Sequence, residues 1–330
     1  MKHYQIVLDV LEYIHKNNYY PYDKVEMAIS ALSLNEKRLT TYILMETLRK
    51  TVLIDYVLSG FLSNPGKLPG KILNILRIGT MQILFSENYS NKKTVNDMVD
   101  LVSNERFKKL VNAVLRKVSK VERDFSGFPE NIKYSHPMWL YREIKKNYKK
   151  SYCDVLMENT MKPDFTYKFS GNDEELERNG YDFIPGLGED SITVFEKGNR
   201  RIKLQRIDPV LNFLKSEFDL PVFRANGSRS GLICEKPWLL NILNENKIRS
   251  ISYEIKKNVD EIEENEFIYY NTSFISMENG EILKNLRGYK VIRVKISKMN
   301  TVNDELSGNY IIGNQTLRPS YFAVMRKING

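Results

Sequence analysis

KILNILRIGTMQILFS, residues 71–86, decides how the first part of this chain folds. Ile72, Leu73, Ile75, Leu76, Ile78, Met81, Ile83, Leu84 and Phe85 point in nearly every direction around a helix of 3.6 residues per turn. A helix that is apolar almost all round must be enclosed, so this stretch is expected as the buried centre of a helical bundle.

The surrounding segments supply the shell. Residues 3–16 place Tyr4, Val7, Leu8, Leu11 and Ile14 at helical spacing, and residues 24–33 do the same with Val25, Ala28, Ile29 and Leu32. A longer helix is expected after Asn35, taken as its N-cap, running to about Phe61, where Ser63-Asn64-Pro65-Gly66 stops it. Thr94-Val-Asn-Asp97 reads as a capping box opening the next helix. In the last helix, about 104–120, Phe107, Leu110, Val111, Val114 and Val118 form an apolar face. Arg106, Lys109, Arg116, Lys117 and Lys120 gather within roughly 100° of arc on the other side. Such a stripe suits phosphate contact, and an ordinary solvated face has the same pattern.

Charge follows the same division. Of the net +9, residues 1–150 carry +10 and residues 151–330 carry −1, so a polyanion is expected on the first half. The 330 residues allow about two domains. No apolar run approaches the roughly 20 residues of a membrane span, and MKHYQIVLDVLEYIHK at the start reads as a mature helix rather than a signal peptide. Cys153 and Cys234 are far apart, and His3, His15 and His136 are scattered, so neither a disulfide framework nor a metal site is expected. A reduced, cytoplasmic setting follows from that usage.

YILMETLRKTVLIDYVL (42–58), ILNILRIGTMQILF (72–85), KTVNDMVDLV (93–102) and FKKLVNAVLRKV (107–118) resemble, in order and spacing, the NusB fold as it is fused to the bacterial ribosomal RNA cytosine-5 methyltransferases of the RsmB (Sun) family. YSHPMWL (134–140) resembles the motif that follows the helical domain there. The resemblance covers about residues 1–165. It implies an all-α RNA-binding bundle ahead of a catalytic domain that uses S-adenosylmethionine, and it gives His136 the task of ordering the junction rather than a catalytic one.

Past a linker at 124–130, a helix beginning at Ser135-His136-Pro137 carries Arg142, Lys145, Lys146, Lys149 and Lys150 beside Trp139, Tyr141 and Tyr148. Aromatics among cations can stack on bases while the cations hold phosphates, and core packing is the competing role for Trp139. Arg142, Lys145 and Lys149 would extend the basic patch. Residues 161–170 and 173–186 read as strand, helix, turn and strand, where the family has a small α/β segment.

The family's chemistry, adding a cysteine thiolate to C6 of cytosine before C5 takes the methyl group, demands a cysteine, an acid at the base edge and a glycine-rich cofactor turn. PVFRANGSRSG (221–231) is the counterpart of that turn, with Gly227 and Gly231 but with Arg224 where an acid is favoured. A plain surface turn fits the same residues. RSISYEIKK (249–257) is expected as the second strand, placing Glu254 at its end as the ribose acid, or simply as an exposed glutamate. In FIYYNTSF (267–274), expected as a strand and the catalytic loop, Asn271 stands in the place of the acid and Phe274 in that of the cysteine. The counterpart of the family's other cysteine loop, VKISKMN (294–300), has none. Glu254 and Asn271 are so close in sequence that a strand–helix unit reads as deleted. SYFAVMRKI (320–328) resembles the closing strand.

The expected architecture is multidomain α plus α/β. An all-α NusB-like bundle (1–125) is joined by a connector (126–190) to a reduced Rossmann-like methyltransferase domain (191–330). The expected function is binding of structured RNA, ribosomal in class, by a catalytically inactive relative of the methyltransferases. Its phosphate contacts are Arg106, Lys109, Arg116, Lys117, Lys120, Arg142, Lys145 and Lys149, and no catalytic residue or metal ligand is assigned. The degenerate cofactor positions are Gly227, Gly231, Glu254 and Asn271. No cofactor is expected, S-adenosylmethionine being the one to test if the pocket survives. One alternative is an active S-adenosylmethionine-dependent RNA methyltransferase with an atypical site. Another is a transcription-antitermination or protein-interaction module with a ribosomal or transcription protein as partner.

Overall fold

The computed structural model describes residues 2–17, 20–87, 89–161, 176, 178–180, 182–184, 192–198, 200–205, 208–225, 245–271, 278–294, 301–303, 308–311 and 320–328. They divide into two compact units, one built on Met1–Pro137 and one that begins at Met138.

The first unit is helical: α1 (Lys2–Asn17), α2 (Tyr22–Ile29), α3 (Leu34–Arg49), α4 (Thr51–Ser59), α5 (Gly70–Phe85), α6 (Asn91–Asp100), α7 (Glu105–Val118) and the short α8 (Glu130–Lys133). Helix α5 is the centre that its composition demands, buried at Ile72 and continuously from Asn74 to Leu84. Helices α1, α3, α4, α6 and α7 all pack against it. Gly79 is the point of closest approach. A Cβ there would lie 2.6 Å from Leu115 Cδ1 and 3.0 Å from Met98 Cγ, so α6 and α7 can meet α5 only because the side chain is missing.

The one charged residue in the buried run of α5, Arg77, is paired. The Arg77 guanidinium donates from Nε and Nη2 to the two Asp55 carboxylate oxygens, both at 2.7 Å, and from Nη1 to Asn74 Oδ1 at 3.0 Å. Nη1 also lies 2.8 Å from His15 Nε2, while His15 Nδ1 lies 2.7 Å from Leu11 O. That geometry needs a neutral His15 with its proton on Nδ1, consistent with burial and the Arg77 charge both lowering its pKa. Such a fork is the strong form of the charge-assisted hydrogen bond.

Three local expectations are corrected. The long helix breaks at Lys50 (φ −101°, ψ 10°) into α3 and α4. Helix α3 is capped two residues before the expected Asn35. Ser33 is the cap, and Glu36 Oε2 accepts from its backbone N–H at 3.0 Å. Helix α6 likewise opens earlier than Thr94, at a Ser90 cap whose Oγ accepts from the Lys93 N–H at 3.3 Å, and Thr94 is buried inside the helix. At both helix starts a serine takes the cap, through the Glu36 carboxylate at Ser33 and through its own hydroxyl at Ser90.

The second unit contains α9 (Met138–Asn147) and α10 (Lys150–Met161), and the short strand β1 (Asp182–Ile184) falls where the chain passes between the units. The second unit continues with β2 (Ile192–Lys197), β3 (Arg200–Gln205), α11 (Pro209–Glu217), β4 (Val222–Arg224), α12 (Glu245–Asp260), β5 (Glu266–Asn271), α13 (Gly280–Lys284), β6 (Tyr289–Ile292), β7 (Thr301–Asn303), β8 (Asn309–Ile311) and β9 (Ser320–Lys327). Strands β2 and β3 form an antiparallel hairpin turning at Gly198, whose φ of 56° suits glycine. The larger sheet runs β4-β5-β9-β8-β7, with β6 also on β9.

Strand β9 organises that sheet. One edge pairs with β5 from Tyr321 to Arg326. Its other edge takes β8 along Ser320–Phe322 and then β6 along Val324–Lys327, end to end. Residues 320–325 are all buried, as a strand covered on both faces requires. On one face Phe322 and Val324 join Ile268, Tyr270, Ile311 and the α11 residues Val210 and Leu214 in a single core. On the other, Tyr321 packs against Tyr269 and Tyr310 with ring centroids 6.1 and 4.7 Å apart.

Among the described strands of this sheet only β4 and β5 are parallel, and their crossover includes α12. Residues 249–257, expected as a second strand, lie within that helix. The nine-residue stretch fits strand alternation locally, but Ile248, Ile251, Ile255 and Val259 recur at three and four residues. The longer period prevails, with Ile255 and Val259 buried.

Candidate nucleic-acid interface

Helix α7 begins where Asn104 Oδ1 accepts from the backbone N–H of Arg106 (2.9 Å) and of Phe107 (3.4 Å). Val111, Val114, Leu115 and Val118 are buried on its inner side. Arg106, Lys109, Arg116, Lys117 and Lys120 are all exposed. The structure therefore brings five expected cations to one side of one helix and its C-terminal turn. Ala113, also exposed, falls inside the same arc at about 100° per residue. No acidic residue of α7 falls within it. Glu105 lies just outside and is engaged by Lys108, Nζ to Oε1 2.8 Å.

This arrangement has a chemical use. Guanidinium and ammonium groups in a row, with a methyl-sized residue between them, let a phosphate backbone approach and displace its condensed counterions. Arg116 Nε donates to Asn112 Oδ1 at 2.9 Å. That bond orients the guanidinium fork before any ligand arrives. Asn112 and Ala113 were not singled out in the sequence. Their signal is positional and appears only once the helix phase is known.

The junction motif is structural. His136 is 3% exposed, with Nδ1 against the Tyr134 carbonyl, its backbone N–H donating to Asn131 O at 2.7 Å, and its carbonyl accepting from Asn131 Nδ2 at 3.4 Å. Burial pushes its pKa down to about 4. Ser135, at φ 51°, accepts from the Leu53 N–H through Oγ at 3.3 Å, tying the motif to α4. The helix expected from Ser135 begins three residues later, at Met138.

In the second unit Arg142 and Lys149 are exposed, and Lys145 is half-buried with Nζ 5.6 Å from the centre of the Tyr141 ring. Tyr148 is buried and packs edge-on against Tyr310 at 5.1 Å, so it is a core residue and not a stacking platform.

The cofactor positions are less coherent. Glu254 is exposed on α12, not at a strand end. Asn271 ends β5 as expected, but it is fully buried and its Nδ2 donates to Glu278 O at 3.1 Å. The Tyr269 hydroxyl also binds the Glu278 carbonyl. Arg224 lies 3.9 Å from Asp208 Oδ2. Asp208 in turn accepts from the Tyr270 hydroxyl at 2.7 Å and caps α11 through Oδ1. Arg224 thus has an acidic partner within its own domain. Gly227, Gly231, Phe274 and Cys234 lie outside the described residues. Cys153 is buried, and its Sγ contacts the carbonyls of Tyr148 (3.4 Å) and Ile144 (3.7 Å). Among the described residues no group of His, Cys, Asp and Glu is placed to hold a metal ion. No described helix is long and apolar enough to cross a membrane.

Residues 3–120 match the NusB family. The chain is 24% identical over 149 residues to the probable ribosomal RNA small subunit methyltransferase B of Bacillus subtilis (strain 168), a match that covers 42% of this chain and 33% of that protein. The crystal structure of PH0851 has the same fold, with a TM-score of 0.63 at 14% identity over 98% of each chain. The chain therefore carries a NusB-family region at its N-terminus, followed by the mixed sheet region.

Proposed function

We propose that this protein binds structured RNA, ribosomal in class, through the outer face of α7. The observation that carries the reading is the exposed row Arg106, Lys109, Arg116, Lys117 and Lys120, with no α7 acid inside its arc and lying in the NusB-matching region. Its relative's name, a ribosomal RNA methyltransferase, supports the choice of RNA class. Arg142, Lys145 and Lys149 are proposed as a second set of phosphate contacts.

The same reading makes the protein a binder without cysteine-adduct chemistry. Asn271 and Phe274 stand where acid and cysteine would be needed. Cys153 is enclosed by backbone carbonyls. Calorimetric titration with S-adenosylmethionine is expected to show no binding. Micromolar binding together with methyl transfer to ribosomal RNA would replace this reading with that of an active enzyme.

The test of the binding face is charge reversal. Lys109→Glu, Arg116→Glu and Lys117→Glu combined are expected to weaken RNA binding and to reduce the slope of log affinity against log salt by about 3, one for each phosphate no longer neutralised. Unchanged affinity in the folded triple variant would remove α7 as the interface.

A further inference from the structure

We propose that α12 and α13 form a second binding site, for one unpaired nucleotide of a single-stranded RNA segment. An open cavity of about 240 Å³ lies between these helices, lined by Arg249, Tyr253 and Lys256 from α12, by Glu281 from α13 and by Asn285, which caps the end of α13. On α12 the first three residues are spaced i, i+4, i+7 and therefore share one face within about 60° of arc. Tyr253 is 71% exposed, an unusual position for a large aromatic. It is flanked along the helix axis by a guanidinium on one side and an ammonium on the other.

Each group answers one part of a nucleotide. An aromatic ring open to solvent offers a surface on which a base can stack, and the two cations reach the phosphates on either side. The carboxylate of Glu281 accepts from a base amino group, and the Asn285 amide, whose Nδ2 donates to Glu281 O at 2.8 Å, is oriented on the same wall. Lys256 is steadied by Asp260, Nζ to Oδ2 2.7 Å, so the ammonium is placed rather than freely swinging. The cavity falls below the roughly 300–1,000 Å³ typical of pockets that enclose a drug-sized ligand. Its volume is enough to seat a base. A paired base cannot present its face to Tyr253, so the ligand is single-stranded.

This inference concerns a site separate from the α7 row, and its test separates the two. Fluorescence anisotropy of the full chain would be measured with a labelled six-nucleotide single-stranded RNA and with a duplex RNA. Tyr253→Ala is expected to weaken hexanucleotide binding roughly 5- to 150-fold, the range for losing one base–aromatic stack. Tyr253→Phe should restore it and Lys256→Ala should lower its salt dependence, while duplex binding is unchanged in all three. Wild-type hexanucleotide affinity in folded Tyr253→Ala, or no hexanucleotide binding by the native chain, overturns the proposal. In the α7 triple reversal, hexanucleotide binding that still depends on Tyr253 keeps this site even if the α7 reading fails. Loss of duplex binding there with a silent Tyr253→Ala does the reverse.

Discussion

Helix α7, with one apolar and one cationic face, and strand β9, buried on both faces, owe their places to different kinds of information. Helix α7 packs on α5 and α6, its neighbours in sequence as well as in space. Strand β9 lies between β5 on one edge and β6 and β8 on the other, partners that begin between 54 and 11 residues upstream of it. The first is assembled mainly from near-neighbour helices. The second is complete only when several separated strands converge, and it carries the larger aromatic content, with Phe267, Tyr269, Tyr270, Tyr321 and Phe322 all 1% exposed or less.

Truncating the centre of the sheet is therefore the most damaging single change expected. Phe322→Ala removes a ring shared with Tyr270, Ile268 and Leu214 and should cost about 3–5 kcal/mol, read from denaturant unfolding. A cost below about 1 kcal/mol would mean that β9 is not the organising strand. Loss of near-ultraviolet circular dichroism with the α-helical signal retained would show the two units melting separately.

Acid should act next, and on the helical unit. His136 titrates near 6.5 when unfolded and near 4 when folded, so the unfolded chain binds the proton first. The stability it contributes is full above about pH 6.5 and is lost as pH falls toward 4, by about 3 kcal/mol. The difference in unfolding free energy between wild type and His136→Asn should shrink across that window. A pH-independent difference would place His136 in solvent.

Gly79→Ala tests the close approach behind the proposed RNA face. Leu115 and Met98 would have to shift to admit the methyl group, at a cost of about 1–3 kcal/mol. A neutral result would indicate that α7 can move away from α5 freely, and RNA affinity in the same variant would report whether the cationic row depends on that seating. The smallest effect is expected at the start of α7. Asn104→Ala removes the cap and should lower stability by about 1 kcal/mol. Because the row lies mostly beyond the first turn, RNA affinity should change little, and a large drop would point to a role for the Arg106 end.

How much was legible in advance differs along the same line. The burial of α5, the extent of α7 and the exposure of its five cations followed from helical period alone. Strand β5 was legible from its run at 267–270, and β9 from the likeness of 320–328 to the closing strand of the resembled family. Residues 249–257 were not, because nine residues satisfied a period of two while the sixteen-residue helix containing them satisfied 3.6. That misreading also hid Arg249, Tyr253 and Lys256, whose common face exists only on a helix. Helix starts at Ser33 and Ser90 were missed for a smaller reason. Several residues nearby can cap, and the choice among them depends on which side chain meets a free N–H.

The sequence by itself determined the helical bundle and the cationic row on α7, since periodicity and charge are properties of the chain. Only the tertiary structure decided that Arg224 is held by Asp208, that Asn271 is buried against Glu278 O, that Tyr148 belongs to the core, and that α12 meets α13 around a cavity. Those facts depend on which distant segments come together, and hydrogen-bond partners and burial are set by such meetings rather than by local pattern.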